Sequence, residues 1–266
     1  KITDENGMAS MGIGLVPNEY KVSAVFNETK DHDKSTANAT VTVKSTILGN
    51  DTTLYFLNGT SYVAKFLDSD GKALTNTTVK FNIHGVFYTK TTNNDGVADL
   101  GIMLRPGTYI LTAYNPVTGE QQGFNITVKS LIVQNDLTKY YMNASKFQAT
   151  IYDKNGSLAV NKNVTFNIHG VFYTRTTDEN GVVSLGISLR PGEYVITTMY
   201  EGLDLGNTVT VLPTLVTRDL NMTYGDGSNF TAQTLDGQGK PLANQNVSFN
   251  VNGVFYNKTT DENGMA

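Results

Sequence analysis

One phrase occurs three times in this chain. Phe81–Tyr88 reads FNIHGVFY, Phe166–Tyr173 repeats it letter for letter, and Phe249–Tyr256 returns as FNVNGVFY. Each copy continues into a pair of threonines and a turn: KTTNNDG from Lys90, RTTDENG from Arg175, KTTDENG from Lys258. A further turn, KITDENG, starts at Lys1. The turn glycines Gly7, Gly96, Gly181 and Gly264 are therefore spaced by 89, 85 and 83 residues. A period of that length, with strand patterning inside it, predicts an array of small β-domains rather than one large globule. The boundaries predicted are 1–44, the later half of a repeat; 45–129 and 130–212, two whole repeats; and 213–266, the earlier half of another.

Within one period the apolar residues alternate. Phe147, Ala149 and Ile151 alternate with polar neighbours, as do Val164, Phe166 and Ile168, and then Val183, Leu185 and Ile187. Turns separate these runs. His84-Gly85, His169-Gly170 and Asn252-Gly253 stand where a type I′ hairpin needs two residues at positive φ. Arg190-Pro191-Gly192 suggests a type II turn. Seven or eight short strands per period, with no helical periodicity, predict an all-β chain of tandem immunoglobulin-like β-sandwiches. The junctions VTVKSTIL (Val41–Leu48), ITVKSLIV (Ile126–Val133) and VTVLPTLV (Val209–Val216) hold no flexible Gly/Ser spacer, so an extended rod with stiff joints is expected. The incomplete first and last segments are complementary. Either more chain continues on both sides, or another subunit supplies the missing strands.

Composition narrows function. The chain has no cysteine and no tryptophan, so neither a disulfide nor a cysteine metal site can staple its domains. A net charge of −4 with both signs scattered offers no nucleic-acid footprint, and no apolar run is long enough to span a membrane. Asparagine is abundant: 13 of 28 Asn residues open an Asn-X-Ser/Thr triplet, where chance placement gives about five. Glycosylation candidates are Asn58, Asn143, Asn163, Asn246, Asn76 and Asn125; the first two share one repeat position and the next two another.

The pattern YVAKFLDSDGKAL, VKFNI, TTNNDGVADLGIML and PGTYILTAY resembles bacterial Ig-like modules of the invasin/intimin stalk type. The longer pattern NGVFYxKTTDENGxAxLxIxLxPGxYxI is similar to the repeats of adhesin-like surface proteins from methanogenic archaea. That resemblance implies a secreted, repetitive surface protein, extracellular and glycosylated, and supplies no catalytic residues.

Other chemistry is weakly signalled. His84 and His169 sit at hairpin tips and are replaced by Asn252, which favours a turn role over a ligand role. Asp68-Ser69-Asp70-Gly71 resembles the start of a calcium loop but lacks the distal Glu. The Lys65 position holds Thr150 and Gln233 in the other copies, so a recurrent Lys–Asn cross-link is not expected. No nucleophile set or phosphate loop recurs, so an enzyme and a cofactor are not expected. Phe56, Tyr141 and Tyr224 recur at one position and are expected in the core, leaving no recurring exposed aromatic platform. The function expected is a cell-surface structural or adhesive stalk or fibre. The alternative is a subunit of a pilus-like filament assembled by strand exchange. Partners expected are other copies of the chain or further repeats of it; a cell-surface or carbohydrate ligand stays open.

Overall fold

The computed structural model describes residues 1–266 as a chain of strands and turns without a helix. It divides into two compact units, Lys1–Lys129 and Ser130–Ala266. The first contains β1 (Asn18–Phe26), β2 (Ser35–Val43), β3 (Ile47–Gly49), β4 (Thr52–Tyr55), β5 (Ser61–Phe66), β6 (Thr78–Ile83), β7 (Val86–Thr91), β8 (Val97–Gly101), β9 (Gly107–Tyr114) and β10 (Gln121–Lys129). The second contains β11 (Ile132–Gln134), β12 (Leu137–Tyr140), β13 (Lys146–Ile151), β14 (Asn163–Ile168), β15 (Val171–Thr176), β16 (Val182–Gly186), β17 (Gly192–Tyr200), β18 (Leu203–Leu212), β19 (Leu215–Thr217), β20 (Ala232–Thr234), β21 (Asn246–Val251) and β22 (Val254–Thr259).

Eight strands in each unit form the same pair of sheets. In the first, β3-β5-β8 make a three-stranded sheet and β4-β10-β9-β6-β7 a five-stranded one. In the second, β11-β13-β16 and β12-β18-β17-β14-β15 repeat that order. The opening strand is split between the sheets: its second half, β4 or β12, runs parallel to the last strand, and every other pairing is antiparallel. This is the immunoglobulin-like arrangement, and it occurs twice in succession.

Inward residues come from the alternation read in the sequence. Ala64, Phe66, Val79, Phe81, Ile83, Leu111 and Ile126 are buried in the first sandwich; Phe147, Ala149, Ile151, Val164, Phe166, Ile168 and Ile196 fill the second. Rings bridge the sheets edge to face: Phe66 to Phe81 at 5.8 Å and Phe147 to Phe166 at 6.0 Å between centroids. One pair of core positions is exchanged between sandwiches. Gly49 lies beside Tyr62 in the first, whereas the equivalent residues of the second are Gln134 and Phe147. The ring that carries a hydroxyl faces the strand residue with no side chain.

The remaining segments have fewer partners. β1 and β2 form a hairpin whose residues are largely exposed. Residues 213–266 place the β19–β20 pair against the β21–β22 hairpin, with Phe230 and Phe249 in ring contact at 5.8 Å. These strands surround an open groove of about 900 Å³ lined by Leu215, Phe230, Val247, Phe249 and Val251 among others.

Candidate functional surface

Most of the repeated motif residues serve the fold. The second threonine of each pair is buried, and its hydroxyl clamps the base of a hairpin. Thr177 Oγ1 accepts from the Lys162 N–H at 2.9 Å and donates to the Ala159 carbonyl at 2.5 Å. Thr92 joins the Thr77 N–H to the Leu74 carbonyl, and Thr260 joins the Gln245 N–H to the Leu242 carbonyl. The Asp-rich turns are Asx turns: Asp68 Oδ1 accepts from the N–H groups of Asp70 and Lys72, and Asp153 and Asp236 repeat the pattern. No group of three His, Asp or Glu side chains is placed to hold a metal ion.

The hairpin tips adopt the expected backbone. His84 and Gly85 have φ of 54° and 78°, His169 and Gly170 have 52° and 78°, and Asn252 and Gly253 have 50° and 85°. Each histidine ring packs edge-on against a tyrosine, His84 on Tyr109 and His169 on Tyr194. Those tyrosines are corner residues. Tyr109 Oη donates to the Arg105 carbonyl at 2.8 Å and Tyr194 Oη to the Arg190 carbonyl at 2.9 Å; Tyr20 does the same to Val16. The type II expectation at Arg190-Pro191-Gly192 is corrected here. Gly107 and Gly192 have φ of 156° and 155°, far from the +80° of a type II turn, and they open strands that lead into the corner tyrosine.

Two electrostatic features carried no notice in the sequence. Asp51 accepts from the Asn125 backbone N–H at 2.7 Å and from its side-chain amide at 3.0 Å. Asp136 does the equivalent for the Thr208 N–H and the Asn207 amide, and Asp219 occupies the same place one period later. These donors hold both carboxyls below the usual range. Lys139 is buried, donating to the Ile187 carbonyl at 2.7 Å and the Ser145 carbonyl at 3.3 Å, and burial lowers its pKa. Leu54 takes that position in the first sandwich, so the lysine does not recur. The period-spaced aspartates were detectable by alignment of the repeats; the single lysine had no such signal.

The glycosylation candidates all lie at the surface. Asn76, Asn125, Asn163 and Asn246 are exposed, while Asn58 and Asn143 are half-buried. Asn58 and Asn143 form matching Asx turns, their Oδ1 atoms accepting from the N–H of Thr60 and Ser145. They differ at the amide nitrogen. Asn143 Nδ2 donates to the Gly237 carbonyl at 2.5 Å, and a Cβ on Gly237 would lie 3.2 Å from the Asn143 backbone. Asn125 Nδ2 is held by Asp51, while Asn163 and Asn246 only accept, from Thr176 and Thr259.

The expectation of no recurring exposed aromatics is overturned. Phe87 on β7 is 61% exposed, Phe172 on β15 63% and Phe255 on β22 67%, with Val86, Val171 and Val254 about half exposed beside them. β7 and β15 are edge strands of five-stranded sheets that face only three strands, which leaves the inner-face Val86 and Val171 uncovered, while Phe87 and Phe172 stand on the outer face opposite Asn82 and Asn167; β22 belongs to a two-stranded hairpin. Of the trio expected in the core, Phe56 is buried, Tyr141 is half-buried and Tyr224 is fully exposed in a segment without strand pairing.

The chain is thus a tandem immunoglobulin-like protein by its own strand order. No family model matches it, and no curated protein does. Solved structures that the chain matches include three at low identity. One is SGBP-B of a Bacteroides ovatus mixed-linkage glucan utilization locus, in complex with a mixed-linkage heptasaccharide, at 13% identity over 80% of this chain and 59% of that one, TM-score 0.23. Another is a Ca²⁺-stabilized adhesin that helps an Antarctic bacterium bind ice, at 15% identity over 93% and 72%, TM-score 0.22. A third is a titin tandem, at 14% identity over 75% and 76%, TM-score 0.31. The chain spans less than two thirds of the glucan-locus protein.

Proposed function

We propose that the chain is a stalk or fibre segment of an exported surface protein, structural or adhesive rather than catalytic, of the kind seen in adhesin-like proteins of methanogenic archaea. Residues 45–129 and 130–212 are its whole repeats, and 1–44 and 213–266 belong to flanking ones. The observation that carries this reading is where the Asn-X-Ser/Thr triplets fall: eleven of the thirteen asparagines are exposed and none is buried. Glycans project from such a surface without cost to the core.

The joints support a stiff support role. Only three residues separate β2 from β3, and two of them are pinned: Ser45 Oγ, the Thr46 N–H and Thr46 Oγ1 each donate to the Glu120 carboxylate at 2.6 Å. Between β18 and β19 there are two residues, and the Asn143–Gly237 bond ties the turn after β12 to the turn after β20. No helix in the structure is long and apolar enough to cross a membrane.

The test is the mass of native material before and after deglycosylation. Treatment is expected to lower the mass, with peptide mapping finding sugar at Asn58, Asn76, Asn163 and Asn246. Asn143 is expected at low occupancy wherever the Gly237 contact closes before the sugar is attached. A native mass unchanged by deglycosylation would sink the surface-glycoprotein reading.

A further inference from the structure

The most strictly repeated string in the chain includes Val-Phe-Tyr on an unpaired sheet edge, all three exposed on β7 and β22 and only the tyrosine, Tyr173, half-buried on β15. In a hairpin with a two-residue turn, the residues flanking the turn exchange both backbone bonds, and every second pair does so thereafter. On β7 those residues are Val86, Tyr88 and Lys90, paired with Ile83, Phe81 and Val79. The N–H and C=O groups of Phe87, Thr89 and Thr91 therefore point away from β6 into solvent. The edges β3, β4 and β8 are three, four and five residues long. β7 has six residues, no Pro and no Gly, and its one charge, Lys90, faces inward as a guard that any pairing must accommodate.

We propose that this edge pairs antiparallel with the same edge of a second copy of the chain, about a two-fold axis through Thr89. Parity selects the register. Only Phe87, Thr89 and Thr91 have free backbone groups, and all of them are used when Phe87 faces Thr91 and Thr89 faces Thr89 of the other copy. A one-residue slip opposes groups already bonded within the hairpin. A two-residue slip loses a bonded pair and in one direction sets Lys90 against Lys90. In the two-fold register Tyr88 lies opposite Lys90 twice, on the face shared with Phe81. The same geometry suits a cation–π contact, as Arg175 already makes over the Tyr173 ring at 5.8 Å within the chain.

The register carries over to the other copies. On β15 it opposes Phe172 to Thr176, Thr174 to Thr174 and Tyr173 to Arg175. On β22 it opposes Phe255 to Thr259, Tyr256 to Lys258 and Asn257 to Asn257. Asn257 begins a triplet, so a sugar there stands on the axis and closes that edge. Self-complementarity of charge and bonding is what points to a second copy. A peptide of other sequence or a polysaccharide would not require it. Each edge is too short to bury the roughly 1,200 Å² of a standard interface, so a single contact is weak and association is expected only at high concentration. Neither β7 nor β15 has a triplet asparagine among its own residues, so pairing at these two edges stands whether or not glycans are found.

The absence of cysteine makes the test direct. Thr89→Cys and Thr174→Cys, each alone in the unglycosylated 266-residue chain, are expected to form disulfide dimers under mild oxidation. The Cα atoms of a hydrogen-bonded antiparallel pair are about 5.5 Å apart, within disulfide reach. Phe87→Cys alone, and Ile110→Cys on the open face away from the edge, are expected to cross-link at least ~10-fold more slowly, since neither residue meets itself in this register. Sedimentation of the chain is expected to show concentration-dependent association. Thr89→Pro/Thr174→Pro/Asn257→Pro should weaken it by ~10-fold or more, because proline at those positions removes an outward N–H and spares the hairpin. Circular dichroism melts check that this variant stays folded. A chain that sediments as a monomer at high concentration, equal cross-linking at Ile110→Cys, or association that survives the prolines each overturns the proposal.

Discussion

Gly49 and Tyr62 offer a sharp test of how the two sandwiches are packed. A Cβ built on Gly49 would overlap the Tyr62 hydroxyl and lie 3.1 and 3.2 Å from Cζ and Cε1 of Phe124. Tyr62 cannot swing away, because it is buried and its ring is held by Phe81 at 5.9 Å and Phe124 at 5.4 Å. Gly49→Ala is therefore expected to cost about 1–3 kcal/mol by overpacking. The Tyr62 hydroxyl is buried without a hydrogen-bond partner, and burial drives its pKa upward. Tyr62→Phe loses no hydrogen bond and relieves a desolvation penalty of about 1–3 kcal/mol, so it should be neutral to stabilising. In the double variant the overlap is gone, and the two changes should couple favourably by about 1–2 kcal/mol. The second sandwich is the internal control: with Phe147 in place of tyrosine, Gln134 fits and donates to the Leu205 carbonyl and Asn207 Oδ1 at 2.9 Å. Hydrogen exchange resolved over residues 47–129, in a denaturant series, measures each variant without averaging in the other unit. If the two substitutions add within ~0.5 kcal/mol, the compensation is not real and the reasoning fails.

Thr177→Val should destabilise its sandwich by about 1–3 kcal/mol, because it strands the Lys162 N–H and the Ala159 carbonyl, while Thr176→Val on the exposed side should stay within ~0.5 kcal/mol; melts of the two variants decide it. Acid should loosen the chain through Asp51 and Asp136. Their folded pKa values are depressed, so their contribution is present above the unfolded carboxylate value of about 3.9 and is lost as pH falls through the lower folded values. Asp51→Asn/Asp136→Asn should flatten the stability profile across that acid range, and parallel profiles for variant and parent would show the clamps contribute nothing.

What the sequence could and could not reveal follows from the range of each signal. The hairpin at His169-Gly170 was readable because its cause is local: two residues must take positive φ, and few sequences tolerate that. Inward strands such as Val164–Ile168 were readable because a sheet facing another sheet imposes a period of two. The turn at Arg190-Pro191-Gly192 was misjudged because Pro and Gly also suit a strand entry, where the corner bond from Tyr194 Oη, not the turn type, fixes the backbone. The pairing of Gly49 with Tyr62 lay beyond local reading, since the two meet only when β3 and β5 are set in register.

The exposed edge exposes the limit of periodicity itself. Val86 and Tyr88 alternate with Phe87 and Thr89 as any buried strand does, and they share a face with Phe81 and Ile83. Burial of that face depends on what lies opposite, and a five-stranded sheet set against three strands leaves its outer strand without cover. Alternation reports which residues share a face; strand count in the facing layer decides whether the face is covered. Apolar residues are kept there in three copies although core packing does not require them, while the inward lysine or arginine at the fifth position disfavours a slipped pairing that would bring like charges together. The inward cation is itself a device that guards an edge, so pairing is restrained to a register that gives it a partner. An edge meant for indiscriminate pairing would lack the inward cation. The combination of open bonds, an aromatic opposite a cation in a single register, and identity between copies is the pattern expected where one defined contact is favoured over its slipped alternatives.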